Sequence, residues 1–142
     1  MLRTSLALAT AALTLAAAPA VASAQDDLRV FFPGNCERNA YKPSKIVVAC
    51  ADAGFVVKKI RWGAYGDTRA VGAGTARVND CDPDCAGGTF HSYDAKVTLS
   101  RVRQCGDVPQ FTRLKVTFTG DRPKGMDRSE TQRRPCAEAP KR

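Results

Sequence analysis

Histidine occurs once in this chain of 142 residues, as His91, and aromatic side chains are sparse: one Trp, three Tyr and six Phe. A single imidazole leaves histidine-assisted nucleophilic catalysis with one base to draw on. No Gly-x-Ser-x-Gly turn is present to carry a serine nucleophile. So few aromatics argue against a broad stacking platform for bases or sugar rings. Beyond residue 25 no window carries an apolar stripe of useful length at helical spacing, and no internal repeat is found. The acids Glu37, Asp52, Asp67 and Asp107 stand singly, as turn residues do, whereas retaining glycosidase chemistry requires two opposed carboxyls. These absences leave no catalytic constellation, and the expectation is a non-enzyme that carries no cofactor.

What the chain does have begins at its N-terminus. Arg3 precedes an uncharged Leu/Ala/Thr run over residues 6–18, Pro19 breaks that run, and Ala22, Ser23 and Ala24 form a small-x-small cleavage pattern. This is the order of a secretory signal. The run is shorter than the roughly 20 residues that span a bilayer. Gln25 follows the cleavage point where a lipoprotein would place cysteine. The expectation is a signal peptide over 1–24 and a secreted or envelope-associated chain, without a membrane span, that starts at Gln25. The net charge is +8, and residues 1–24 contribute one base and no acid, so the remainder stays basic. A positive balance favours polyanionic partners.

All six cysteines (Cys36, Cys50, Cys81, Cys85, Cys105 and Cys136) lie beyond the signal. An even count in an exported chain reads as a disulfide framework, with three bridges here. Asp82, Pro83 and Asp84 make a tight turn that brings Cys81 and Cys85 together. The other four pair either as 36–50 and 105–136 or by crossing between these. The rival reading is zinc held by Cys81, Cys85, His91 and another cysteine.

Between these points the pattern is strands and turns. Residues 28–32 form a first apolar run, stopped by Pro33, Gly34 and Asn35. Residues 45–51 read as a buried strand, 55–62 as a second rich in Val and Ile, and 69–78 as a third. Gly72 and Gly74 in that third strand suggest a bulge or a close backbone approach. Residues 89–104 read as one bent strand or two. Residues 110–119 give the cleanest alternation, with Leu114, Val116 and Phe118 on one face and Arg113, Lys115 and Thr117 on the other. The fold expected over residues 25–120 is all-β: a small disulfide-stapled β-sandwich or partly closed barrel of about seven strands. Residues 121–142 lack apolar periodicity and read as an irregular basic C-terminal tail, pinned by Cys136.

Four groups are candidate sites. Asp80, Asp82 and Asp84 alternate like the first ligands of a calcium loop, although Cys85 stands where that loop needs glycine and His91 where it needs glutamate. Trp62 and Tyr65 lie beside Lys58, Lys59 and Arg61; Trp62 suits a core anchor and Tyr65 an exposed contact. Arg101 and Arg103 fall on one candidate strand, Arg113 and Lys115 on another, each pair at period two. If the strands are neighbours the four charges cluster, and such a patch suits phosphates or acidic polymers. No nucleic-acid motif accompanies them. His91, within Phe90-His91-Ser92-Tyr93, reads as a strand residue.

The runs Val48-Ala49-Cys50-Ala51-Asp52, Arg61-Trp62-Gly63-Ala64-Tyr65-Gly66, Ala70-Val71-Gly72-Ala73-Gly74 and Asn79-Asp80-Cys81-Asp82-Pro83-Asp84-Cys85 resemble a family of small secreted actinobacterial proteins with no assigned activity. The resemblance spans roughly two-thirds of the chain beyond the signal. It implies compartment and compactness, and transfers no catalytic residue. The function expected is a secreted, non-enzymatic binding module contacting an anionic envelope polymer or an extracellular protein. The alternatives are an inhibitor of a secreted protease, through the 81–85 loop or residues 63–67, and a small hydrolase based on His91.

Overall fold

Val-, Ile- and Thr-rich segments separated by glycine and aspartate turns fold into one antiparallel sheet. A computed structural model describes residues 29–137, so the signal expected at 1–24 and residues 138–142 lie outside the described residues. The strands are β1 (Ile46–Val47), β2 (Phe55–Tyr65), β3 (Arg69–Asn79), β4 (Phe90–Cys105), β5 (Val108–Phe118) and β6 (Ser129–Arg133), and no helix occurs among the described residues. Each pairs with the next in sequence, in the order β1-β2-β3-β4-β5-β6. The sheet curls into a half-barrel. The architecture is therefore the partly closed barrel rather than the sandwich, with six strands in a single sheet.

Two of the expected strands shrink. Of the strand expected over 28–32, whose first residue lies outside the described residues, only Phe31 and Phe32 make isolated bridges, to Gln110 and Ala40. Pro33, which has no N–H to donate, ends the run there. Instead of a strand, this segment fills the concave side of the sheet: Val30 and Phe32 are buried with Ile46 and Val48 against Val57, Leu99, Phe111, Leu114, Val116 and Phe118. Residues 45–51 retain only Ile46 and Val47 in β1.

In β2 two single-residue insertions shift the register against β3, between Lys58 and Arg61 and between Trp62 and Ala64. Lys59 takes a left-handed φ of 54° at the first. Each insertion resets the alternation, so Ile60, Trp62 and Tyr65 all point inward although their spacing is not strictly two. Gly72 and Gly74 lie opposite these bulges. A Cβ at Gly74 would stand 2.7 Å from the Lys58 carbonyl oxygen, and one at Gly72 would stand 2.9 Å from that of Arg61. The two glycines therefore serve close backbone approach.

β4 is one strand that bends. Arg101 adopts φ 60°, and its carbonyl accepts a bond from the Thr112 hydroxyl at 2.7 Å. Buried positions run 95, 97, 99 before this point, and the partly buried Val102 follows it; on β5 they run 118, 116, 114 and then 111. Register is kept because both strands reset together.

The expected irregular tail is corrected by β6, whose residues Ser129–Arg133 pair with β5 from Thr117 to Arg113. Its sequence, Ser-Glu-Thr-Gln-Arg, has no apolar set because an edge strand of a half-barrel buries neither face fully. Beyond it the chain is fastened three ways. The buried Gln110 amide donates to the Pro135 carbonyl at 2.9 Å and accepts from the Ala137 amide at 2.8 Å. Cys136 is bonded to Cys105, alongside the disulfides Cys36–Cys50 and Cys81–Cys85. Arg134, only 7% exposed, sends its guanidinium to the carbonyls of Val47 at 2.6 Å and Val48 at 3.0 Å. It also contacts the sulfurs of Cys36 and Cys50.

Two stability outcomes follow from this closure. Replacing Cys105 and Cys136 together by Ser should cost about 4 kcal/mol by loop entropy and lower the urea midpoint. Arg134→Met keeps the stem but orphans two carbonyls, and should cost about 2–5 kcal/mol. An unchanged midpoint for Arg134→Met would contradict the closure.

Candidate functional site

The antiparallel pairing of β4 with β5, and of β5 with β6, decides where the basic residues go. Arg113 is paired across the ladder with Ser100 on one side and with Arg133 on the other. Arg103 is paired with Gln110. Because the strand tail doubles back along β5, Arg101, Arg103, Arg113 and Arg133 border one cleft of about 660 Å³, with Val102, Pro135 and Cys136 among its walls. All four arginines are exposed. No Asp or Glu lines the cleft. Among the described residues the one ion pair is His91 with Asp80, and none of the four guanidinium groups has a hydrogen-bonding partner.

Two features of this arrangement work against stability. Like charges directly opposite each other on neighbouring strands repel, as Arg113 and Arg133 do. A non-glycine residue in the left-handed region, as Arg101 is, costs about 1–2 kcal/mol. Exposed arginines around a cleft without acids present fork-shaped donors suited to carboxylate or phosphate oxygens. Arg134 also borders the cleft, but its guanidinium is committed to β1. Burial lowers its pKa from the ordinary arginine value.

Of the basic candidates, Arg101, Arg103 and Arg113 meet in the cleft. Lys115 is exposed on the same outward face, one row away, between Thr98 and Thr131. Arg133 was not legible as a site residue, because its segment has no apolar alternation. The usable signal was the Cys105–Cys136 pairing, which brings the residues just before Cys136 to the β4–β5 hairpin.

Tyr65 is corrected. The second β2 bulge turns it inward, where its ring packs edge-on against Trp62, Tyr41 and Phe111 at centroid distances of 5.0, 5.3 and 5.7 Å. Its hydroxyl is buried. Burial pushes the phenol up to about 12. Trp62 packs against the core, and its indole N–H donates to the Pro43 carbonyl at 3.0 Å.

The β3–β4 loop bonds to itself. Asp80 Oδ1 accepts from the Thr89 amide at 2.8 Å and the Asp82 amide at 3.2 Å, while Oδ2 meets His91 Nε2 at 2.9 Å. Thr89, then His91, then Asp82 hold the Asp80 carboxyl down at about 2. Asp84 accepts from the Gly87 amide at 2.7 Å. Asp80 and Asp84 therefore serve separate amides, Asp82 contributes only its backbone N–H, and no group of three metal-ligating side chains forms among the described residues. The zinc reading is corrected too, since Cys81 and Cys85 are joined to each other. Their Cα atoms are 3.8 Å apart, so this loop is a curl and presents no extended strand to a protease. No hydroxyl or thiol bonds to His91 among the described residues.

No protein-family model, curated protein or solved structure matches the chain.

The two shifted groups make opposite pH predictions. Tyr65 has a raised pKa, so its contribution is complete below pH 10 and is lost as pH rises towards 12. In an alkaline absorbance titration, Tyr65→Phe should remove the latest-ionising phenol. Asp80 has a lowered pKa, so its contribution is complete above about pH 4 and is lost as pH falls through 2. Asp80→Asn should flatten the acid limb of the melting temperature between those values; an unaltered limb would contradict the assignment.

Proposed function

We propose that this chain is an extracellular, non-enzymatic binding module that holds an anionic group of an envelope polymer or a protein partner in the arginine cleft. One observation carries the reading: four exposed arginines line a single cleft with no carboxylate in its lining. Arginine paired to a carboxylate or phosphate forms charge-assisted bonds worth about 1.5–3 kcal/mol each. A ligand offering such oxygens would relieve the repulsion between Arg113 and Arg133 and make binding favourable without moving the sheet. Three disulfides suit an oxidising compartment, and the signal-like residues 1–24 supply the route to it. The non-enzymatic part rests on chemistry: the cleft offers cations, its one hydroxyl, Thr112, is committed to the Arg101 carbonyl, and no carboxylate or imidazole lines it to take a proton from that hydroxyl.

The test is retention on immobilised anionic cell-wall polymer. Wild-type protein should be held at low salt and released at moderate salt, and Arg113→Ala with Arg133→Ala should weaken retention by about ten-fold or more. Equal retention of the double variant, with unchanged melting temperature, would overturn the cleft as the site. Protein isolated from its host should be found in the medium or envelope and begin at Gln25; a chain retained in the cytosol, starting at Met1 with six free thiols, would overturn the extracellular assignment.

A further inference from the structure

The cleft lies at one end of a larger surface. Following the register outward across the convex face, one row reads Arg69, Ser100, Arg113, Arg133 from β3 to β6. The next reads Val71, Thr98, Lys115, Thr131, and the third reads Ala73, Lys96, Thr117, Ser129, with Arg61 of β2 beside Ala73. Arg61, Arg69, Lys96 and Lys115 are all exposed. No acid occurs in the three rows; the first is Asp94, in the fourth row, paired with Thr75. The residues between the bases are small and neutral, and no aromatic ring stands among them.

Spacing gives this surface a direction. Neighbouring strands lie about 4.8 Å apart and successive outward rows about 6.8 Å apart. Stepping from Arg113 to Lys115, Lys96 and Arg61 therefore covers about 7, 8 and 10 Å in turn. Those steps lead away from the cleft, diagonally over four strands. A compact anion in the cleft lies beyond the reach of Lys96 and Arg61, which stand about 14 and 20 Å from Arg113 on these spacings.

We infer that the ligand is a linear polyphosphate-type chain, with its terminal phosphate in the arginine cleft and its following phosphoryl groups laid along Lys115, Lys96 and Arg61. This rests on the anion-binding reading of the cleft and specifies its ligand. A terminal phosphate offers three oxygens to several guanidinium forks, whereas a carboxylate offers two. Lysines, as compact point charges on flexible stems, suit the less demanding phosphates of the chain. The absence of rings along the track gives bases nothing to stack on, so nucleic acid gains only its backbone charge.

The experiment compares short-chain inorganic polyphosphate, tripolyphosphate, polyglutamate and oligothymidylate as probes of the purified secreted protein, each across a salt series. Polyphosphate should bind at least about ten-fold more tightly than tripolyphosphate, with a steeper salt dependence. Lys96→Gln with Arg61→Gln should weaken polyphosphate about ten-fold, make its salt slope shallower by roughly one to two, and leave tripolyphosphate unchanged. Arg113→Gln with Arg133→Gln should weaken both. Equal binding of the two phosphates, or no effect of the Lys96/Arg61 pair, would overturn the track while the cleft stands. Polyglutamate or oligothymidylate binding as tightly as polyphosphate would overturn the phosphate assignment. No binding of any probe would overturn both the track and the cleft. Both pairs are exposed surface changes, and unchanged melting temperatures separate lost binding from lost fold.

Discussion

A meander of six strands has two edges, and in this protein both lead to one guanidinium. The backbone amide of Arg134 bonds to the Thr112 carbonyl at 2.8 Å, directly after β6. Its side chain crosses the opening of the half-barrel to the carbonyls of Val47 and Val48 at the end of β1. A buried cation without a carboxylate is costly. Here the compensation comes from carbonyl dipoles and from a guanidinium whose ordinary pKa lies so far above neutrality that the lowering by burial leaves it charged. Neutral carbonyls with no other donor need what only a long, forked side chain can reach. The position of residues 133–136, and with it one wall of the cleft, follows from that contact.

The same sheet divides sharply by charge. Its concave side is occupied by Val, Ile, Leu and Phe and completed by the N-terminal segment. Its convex side carries cations on β2, β3, β4, β5 and β6. Antiparallel alternation produces both from the same residues, since each apolar position of β5 is flanked by a polar or basic one. The departures from alternation are informative in different ways. The bulges in β2 serve the core by turning Trp62 and Tyr65 inward, whereas the left-handed Arg101 serves the rim of the cleft.

How much of this was legible from sequence depended on whether local pattern or distant pairing decided the outcome. β5 was legible because Leu114, Val116 and Phe118 alternate without interruption. The single bent strand over Phe90–Cys105 remained open between one strand and two because a simultaneous reset at Arg101 and Thr112 leaves no trace in either segment alone. Tyr65 was misplaced for a similar reason: a spacing of three from Trp62 implies opposite faces unless a bulge intervenes. β6 was illegible, since an edge strand of Ser, Glu, Thr, Gln and Arg has no apolar period to detect. Its partner, not its composition, makes it a strand. The arginine cluster was therefore half visible, with the β4 and β5 members apparent and Arg133 hidden.

The β3–β4 connection has a different status from the rest of the chain. The amides of Cys81, Asp82, Gly87 and Thr89 donate to the side chains of Asn79, Asp80 and Asp84, the Asn79 amide group donates to the Cys85 carbonyl, and its own cystine closes the curl. It draws little from the barrel it joins. A segment so self-sufficient is free to diverge between copies of the gene, or to be exchanged for a foreign peptide of similar span, while the scaffold beneath is inherited unchanged.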